Sequence, residues 1–138
     1  MQATLKDTVT LQGVGLHSGA PARLVMHSAR PGHGIVFRRT DLSPAVDIPA
    51  LWDHVTPSKL CTLLDNGLGV TLSTVEHVMA ALAGTGIHNA LITVDGPEIP
   101  ILDGSAAPFV DAILDTGIVR QAAPLRAIRV LRTVEVRE

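Results

Sequence analysis

Ser73-Thr74-Val75-Glu76-His77-Val78-Met79-Ala80-Ala81-Leu82-Ala83-Gly84 places Val75, Val78, Met79 and Leu82 at i, i+3, i+4 and i+7. That is the apolar face of an amphipathic helix. The spacing predicts a helix starting near Ser73 and ending at Gly84 or Gly86. Its first turn sets a carboxylate, Glu76, beside an imidazole, His77. Those are the groups that bind divalent metal and move protons near neutral pH.

The flanking sequence is mostly strand-like. Residues 2–11 alternate loosely and predict one strand, followed by Gly13-Val14-Gly15-Leu16-His17-Ser18-Gly19. Residues 22–27, 35–39 and 46–48 predict three more. Residues 60–64 and 68–72 flank Asp65-Asn66-Gly67, a hairpin turn sequence. Residues 90–94 predict another strand. Residues 99–102, interrupted by Pro100, predict an edge strand or an extended segment. A second helix is expected over 106–115, with Ser105 as cap, Pro108 in the first turn and Gly117 past the end. Residues 121–124 read as a linker and 128–136 alternate like a final strand. Because that strand has no evident partner, the natural protein is expected to continue beyond Glu138. Strands interrupted by two helices give an α/β fold of the α+β type.

The 138 residues suffice for one domain with a core. Apolar residues make up 46% of the chain but aromatics only 2%, so Val, Ile, Leu and Ala must fill that core. The net charge of −2, with both signs interspersed, lacks the basic stripe of a nucleic-acid binder. A single cysteine, Cys61, excludes an intrachain disulfide and fits a reducing compartment. With no secretory leader and no stretch long enough to span a membrane, the expected location is the cytoplasm.

Several residues carry two readings. Ser73-x-x-Glu76 fits a capping box, in which Glu76 reaches back to the Ser73 amide; the same carboxylate could instead serve as a general base. His77 suits either a partly buried hydrogen-bonding role or a metal, since a helix N-terminus favours the neutral imidazole. Neighbouring helix residues point about 100° apart, so the two side chains can only flank a common cavity. A catalytic zinc takes about three protein ligands, whereas His17, His27, His33, His54 and His88 are scattered. The Gly13–Gly19 stretch reads as a tight bend and lacks the phosphate-loop pattern. Arg38-Arg39-Thr40-Asp41 reads as a solvated strand end with local ion pairing ahead of an anion site, Asp103-Gly104-Ser105 as a turn into a helix cap, and Cys61 as a small buried hydrophobe on a strand ahead of a nucleophile.

Five stretches taken in order closely resemble one family. They are Gly13-Val14-Gly15-Leu16-His17-Ser18-Gly19; Phe37-Arg38-Arg39-Thr40-Asp41-Leu42; Leu60-Cys61-Thr62; Ser73-Thr74-Val75-Glu76-His77 with Ala80-Ala81-Leu82-Ala83-Gly84; and Glu98-Ile99-Pro100-Ile101-Leu102-Asp103-Gly104-Ser105-Ala106-Ala107-Pro108-Phe109. The family is the zinc-dependent UDP-3-O-acyl-N-acetylglucosamine deacetylases of lipid A biosynthesis, the lipopolysaccharide anchor of the Gram-negative outer membrane. The resemblance implies a two-layer sandwich, one mainly antiparallel sheet with two helices packed on one face plus a small β insert. It implies that residues 1–122 are the first of two similar domains, with 123–138 the linker and opening strand of the second. It further implies that Glu76 is the general base, that His77 is one of about three zinc ligands, and that Leu60 and Cys61 line the substrate cleft. His17 belongs to a shared motif and is assigned to the substrate. The other zinc ligands, a His and an Asp of a His-Lys-x-x-x-Asp motif, have no counterpart here. The expected partners are therefore UDP-3-O-acyl-N-acetylglucosamine and the absent C-terminal domain. The isolated chain is expected to be inactive and to self-associate through the exposed domain face. The competing reading is a standalone, non-catalytic binding module of the same fold.

Overall fold

The computed structural model describes residues 1–137. Its main sheet is built by strict alternation. β2 (Val9–Val14), β3 (Pro21–Ser28), β4 (Ile35–Arg39), β5 (Val46–Pro49) and β9 (Ala90–Val94) lie in the order β2-β3-β9-β4-β5. Only the β4–β9 pair is parallel. The register aligns Val9, Met26, Ile92, Phe37 and Ile48 into one row across all five strands. All five are buried. Because side chains alternate at period two, this row commits every second residue of the sheet to one face.

Two helices cover that face. α1 (Glu76–Thr85) contributes Val78, Ala81 and Leu82, and α2 (Ala107–Thr116) contributes Phe109 and Ile113, to the same buried cluster as the sheet row. Gly86 ends α1 in left-handed geometry, its N–H returning to the Ala83 carbonyl. α2 begins after Ser105, whose hydroxyl accepts the Ala107 N–H, and stops at Gly117. The result is the two-layer sandwich with both helices on one side. Two small sheets complete it: β1 (Ala3–Leu5) with β10 (Ile118–Arg120), and β6 (Val55–Thr56), β7 (Leu63–Asp65) and β8 (Thr71–Ser73) as the insert.

The structure corrects several boundaries. Residues 2–11 form two strands in different sheets, split at the exposed Lys6, Asp7 and Thr8. The helix starts at Glu76, because Ser73 is held in β8 and hydrogen-bonds to the segment after β9. β7 and β8 are shorter than the hairpin pattern suggested, although the pairing is as expected. β6 and β10 were not legible: one has two residues and the other three exposed ones. Residues 99–101 form no strand, and Leu102 already belongs to the following turn, in left-handed geometry. Residues 124–137 carry no helix or strand, so the alternation over 128–136 is not realised as one. Alternation becomes a strand only against a partner edge, and there Ile128 is 97% exposed and Val136 91%.

Arg39 is a further correction. It is buried rather than solvated, and occupies a core-facing position opposite Val94. Its guanidinium makes a two-pronged pair with Asp41 at 2.8 and 2.6 Å and donates to the Thr71 carbonyl at 2.8 Å. One side chain thereby ties the main sheet to the insert. Arg38 points the other way and pairs across strands with Asp47 on the surface.

Ile92→Ala is expected to destabilise the fold by about 2–5 kcal/mol, since it empties the centre of the five-residue row. Leu68→Ala, at a side chain 88% exposed, should stay within about 0.5 kcal/mol. Urea denaturation of both variants checks the contrast.

Candidate active site

Glu76 and His77 are the first two residues of α1, half-buried beside the insert. The capping box does not form. The Ser73 N–H donates to the Pro97 carbonyl at 2.9 Å, out of the capping role. Glu76 Oε2 instead accepts the Thr62 backbone N–H at 3.0 Å. The carboxylate is therefore drawn toward the Leu60-Cys61-Thr62 segment. A helix N-terminus is also a favourable place for its negative charge.

That segment is an irregular connection between β6 and β7. Leu60 is in left-handed geometry (φ 68°) and 89% exposed. Cys61 lies off the strand, half-buried, its sulfur 3.2 Å from Ser58 Oγ. The expected placement of Cys61 on a buried strand is thus corrected. Beside it, Ala50, Leu51, Trp52, Val55, Thr62, Leu64, Val75 and Met79 line an open, largely apolar groove of about 160 Å³.

His17 lies on the β2–β3 loop, and its side chain is exposed. A residue that sequence reasoning passed over joins it to the helix: Glu98, only 3% exposed. Its Oε1 accepts the His17 N–H at 2.9 Å and the Thr74 hydroxyl at 3.1 Å; its Oε2 accepts the Ser18 N–H at 2.9 Å. The backbone around Glu98 is laced into both neighbours. Ile99 N–H donates to Ser73 O, and Ile101 N–H to Val14 O. Gly15 follows from this arrangement. A Cβ on Gly15 would stand 2.2 Å from Glu98 Oε2, so only glycine lets the loop close over the carboxylate.

Burial alone would raise the Glu98 pKa. The His17 N–H and the Ser18 and Thr74 donors outweigh it and hold the group down at about 2. Strain gathers at the same place. Among the described residues, three non-glycine residues are in left-handed geometry: Leu60, Thr74 and Leu102. Leu60 precedes Cys61 and Thr74 lies two residues before Glu76, while Leu102 packs near Gly13. Such backbone costs about 1–3 kcal/mol per residue and persists only where surrounding contacts impose it.

The structure thus brings Glu76, His77, Leu60 and Cys61 to one locality, with His17 linked to it through Glu98. As a metal donor set it is partial. Among the described residues no three His, Cys, Asp or Glu side chains are grouped to hold an ion. His77 alone is one of the roughly three donors that such a site takes, and the Glu76 carboxylate is already engaged by the Thr62 N–H.

The family model for LpxC, UDP-3-O-acyl N-acetylglycosamine deacetylase, matches residues 2–138. A UDP-3-O-acyl-N-acetylglucosamine deacetylase of Haemophilus influenzae (strain 86-028NP) is 51% identical over 137 residues, 99% of this chain and 45% of its own length. The protein of that name from Myxococcus xanthus (strain DK1622) is 52% identical over 135 residues, 98% and 43% of the two chains. One from Vibrio cholerae (strain ATCC 39541) is 51% identical over 137 residues, with 99% and 45% covered. The chain thus spans less than half the length of the curated relatives it matches.

Because the folded-state pKa of Glu98 lies below that of the unfolded chain, its contribution to stability is complete above about pH 5 and lost as the pH falls toward 2. About 2 kcal/mol of this contribution should disappear between pH 6 and pH 3. Glu98→Gln should be less stable at pH 7 by about 2–4 kcal/mol, with the gap to the unsubstituted chain narrowing by about 2 kcal/mol at pH 3. Denaturant melts at the two pH values test it.

Proposed function

The chain belongs to the family of UDP-3-O-acyl N-acetylglycosamine deacetylases, and we propose that it supplies the general base and one metal donor of a deacetylase site completed by residues outside it. One observation carries it above all: the Glu76 carboxylate accepts the Thr62 N–H beside the Leu60-Cys61 segment rather than an amide of its own helix terminus. A capping glutamate would bond the Ser73 amide instead.

The reaction is hydrolysis of the 2-acetamido group of UDP-3-O-acyl-N-acetylglucosamine, a step of lipid A biosynthesis. With Oε2 engaged by Thr62, Glu76 presents Oε1 to the attacking water and takes its proton as the bond to the carbonyl carbon forms. His77 would hold zinc through a ring nitrogen, beside donors from the rest of the protein. When bound, zinc supplies a Lewis acid that polarises the amide carbonyl and makes water more acidic. Leu60, Cys61 and His17 border the bound substrate. No helix of the described residues is long and apolar enough to cross a membrane. The single half-buried cysteine fits the reducing cytoplasm as the proposed location.

Glu76→Gln, made in a protein of full family length, is expected to keep its zinc and lose at least about 10²-fold in kcat. His77→Ala should lower both bound zinc and turnover. Near-normal kcat in Glu76→Gln would return the residue to a structural role. Metal content and acetate release, measured on the same preparations, decide.

A further inference from the structure

We propose that Glu98 is a positioning residue for the Glu76–His77 pair, acting through Thr74 and the Thr62 backbone. Its catalytic consequence rests on the function proposed above; its geometry does not.

The contacts close a ring. Glu98 Oε1 accepts the Thr74 hydroxyl at 3.1 Å, the Thr74 N–H donates to the Thr62 carbonyl at 3.0 Å, and the Thr62 N–H donates to Glu76 Oε2 at 3.0 Å. Chain connectivity closes it, because Glu76 is two residues after Thr74. Thr74 is the vulnerable link. It is 1% exposed, and φ is 61°, a conformation that β-branched residues resist. Its hydroxyl bond to Glu98 opposes relaxation of that torsion. Were Thr74 to relax, the Thr62 carbonyl would lose its donor, and the Thr62 amide that aims Glu76 would move with it.

Glu98 is suited to the task because it cannot move easily. Its two oxygens are also held by the His17 and Ser18 amides, and Gly15 packs against it. The same carboxylate therefore fixes the loop carrying His17 and the turn into α1. Loop and helix start become one rigid unit, as a site needing sub-ångström placement of a base requires.

The test uses Thr74→Ala, Thr74→Ser and Glu98→Gln. In this chain, amide exchange at Thr62 should quicken at least about tenfold in Thr74→Ala relative to Leu64 and Leu72 on the adjoining strands, and return to normal in Thr74→Ser. In a protein of full family length, Thr74→Ala and Glu98→Gln should lower kcat by about tenfold or more with KM within about threefold. Thr74→Ser should restore kcat. If Glu98→Gln does not fold, the Thr74 pair still decides. Unchanged Thr62 exchange in Thr74→Ala, or exchange rising equally at all three amides, would overturn the proposal. If the unsubstituted long protein releases no acetate, the deacetylase reading fails, while the exchange result still judges the positioning role.

Discussion

A buried carboxylate organises this domain. Glu98 stands where three segments meet: the Gly13–Gly19 loop, the end of β8 and its own extended strand-like run. None of these could close without its acceptors. The His17 and Ser18 amides and the buried Thr74 hydroxyl would lose their acceptor, and an unpaired buried donor such as that hydroxyl costs about 1–3 kcal/mol. The charge itself is tolerable only because donors surround it. A depressed pKa is the thermodynamic face of that dependence.

From this knot the site follows by geometry. Thr74, held by the carboxylate, turns the chain through left-handed backbone directly into α1. The helix then begins at Glu76, with Glu76 and His77 in its first turn and Val78, Ala81 and Leu82 anchored in the core. Arg39 performs the matching service for the insert, binding Asp41 and the Thr71 carbonyl from a core-facing position. Sheet, insert and helix start are thus cross-linked by two buried ionic side chains. What they frame is the setting of the proposed general base, in a chain that covers less than half of its relatives' length.

Much of the sheet and both helices were legible because their signals are local. Period-two alternation gave β3, β4, β5 and β9, and the i, i+3, i+4 spacing gave α1. The Glu76–His77 pair and the family were likewise written in contiguous motifs. Missed features were those that contacts distant in sequence create. Ser73-x-x-Glu76 has the pattern of a capping box, yet Pro97 takes the Ser73 amide and Thr62 takes the Glu76 carboxylate. Glu98 sat in plain view between Pro97 and Pro100, but its donors lie 80 and 81 residues away on the glycine loop. Arg39 looked solvated because nothing in its neighbourhood of sequence reveals the Thr71 carbonyl. For the segment over 128–136, the pattern was present and the partner edge was not.

The most direct test of the half-site account is acetate release from UDP-3-O-acyl-N-acetylglucosamine, with zinc supplied. The 138-residue chain would be assayed beside a protein of full family length. The account predicts turnover by the longer protein and none by this chain, because Glu76 and His77 lack companion donors among the described residues. Turnover by the 138-residue chain itself would contradict it, since a complete site would then have to assemble from side chains the structure keeps apart.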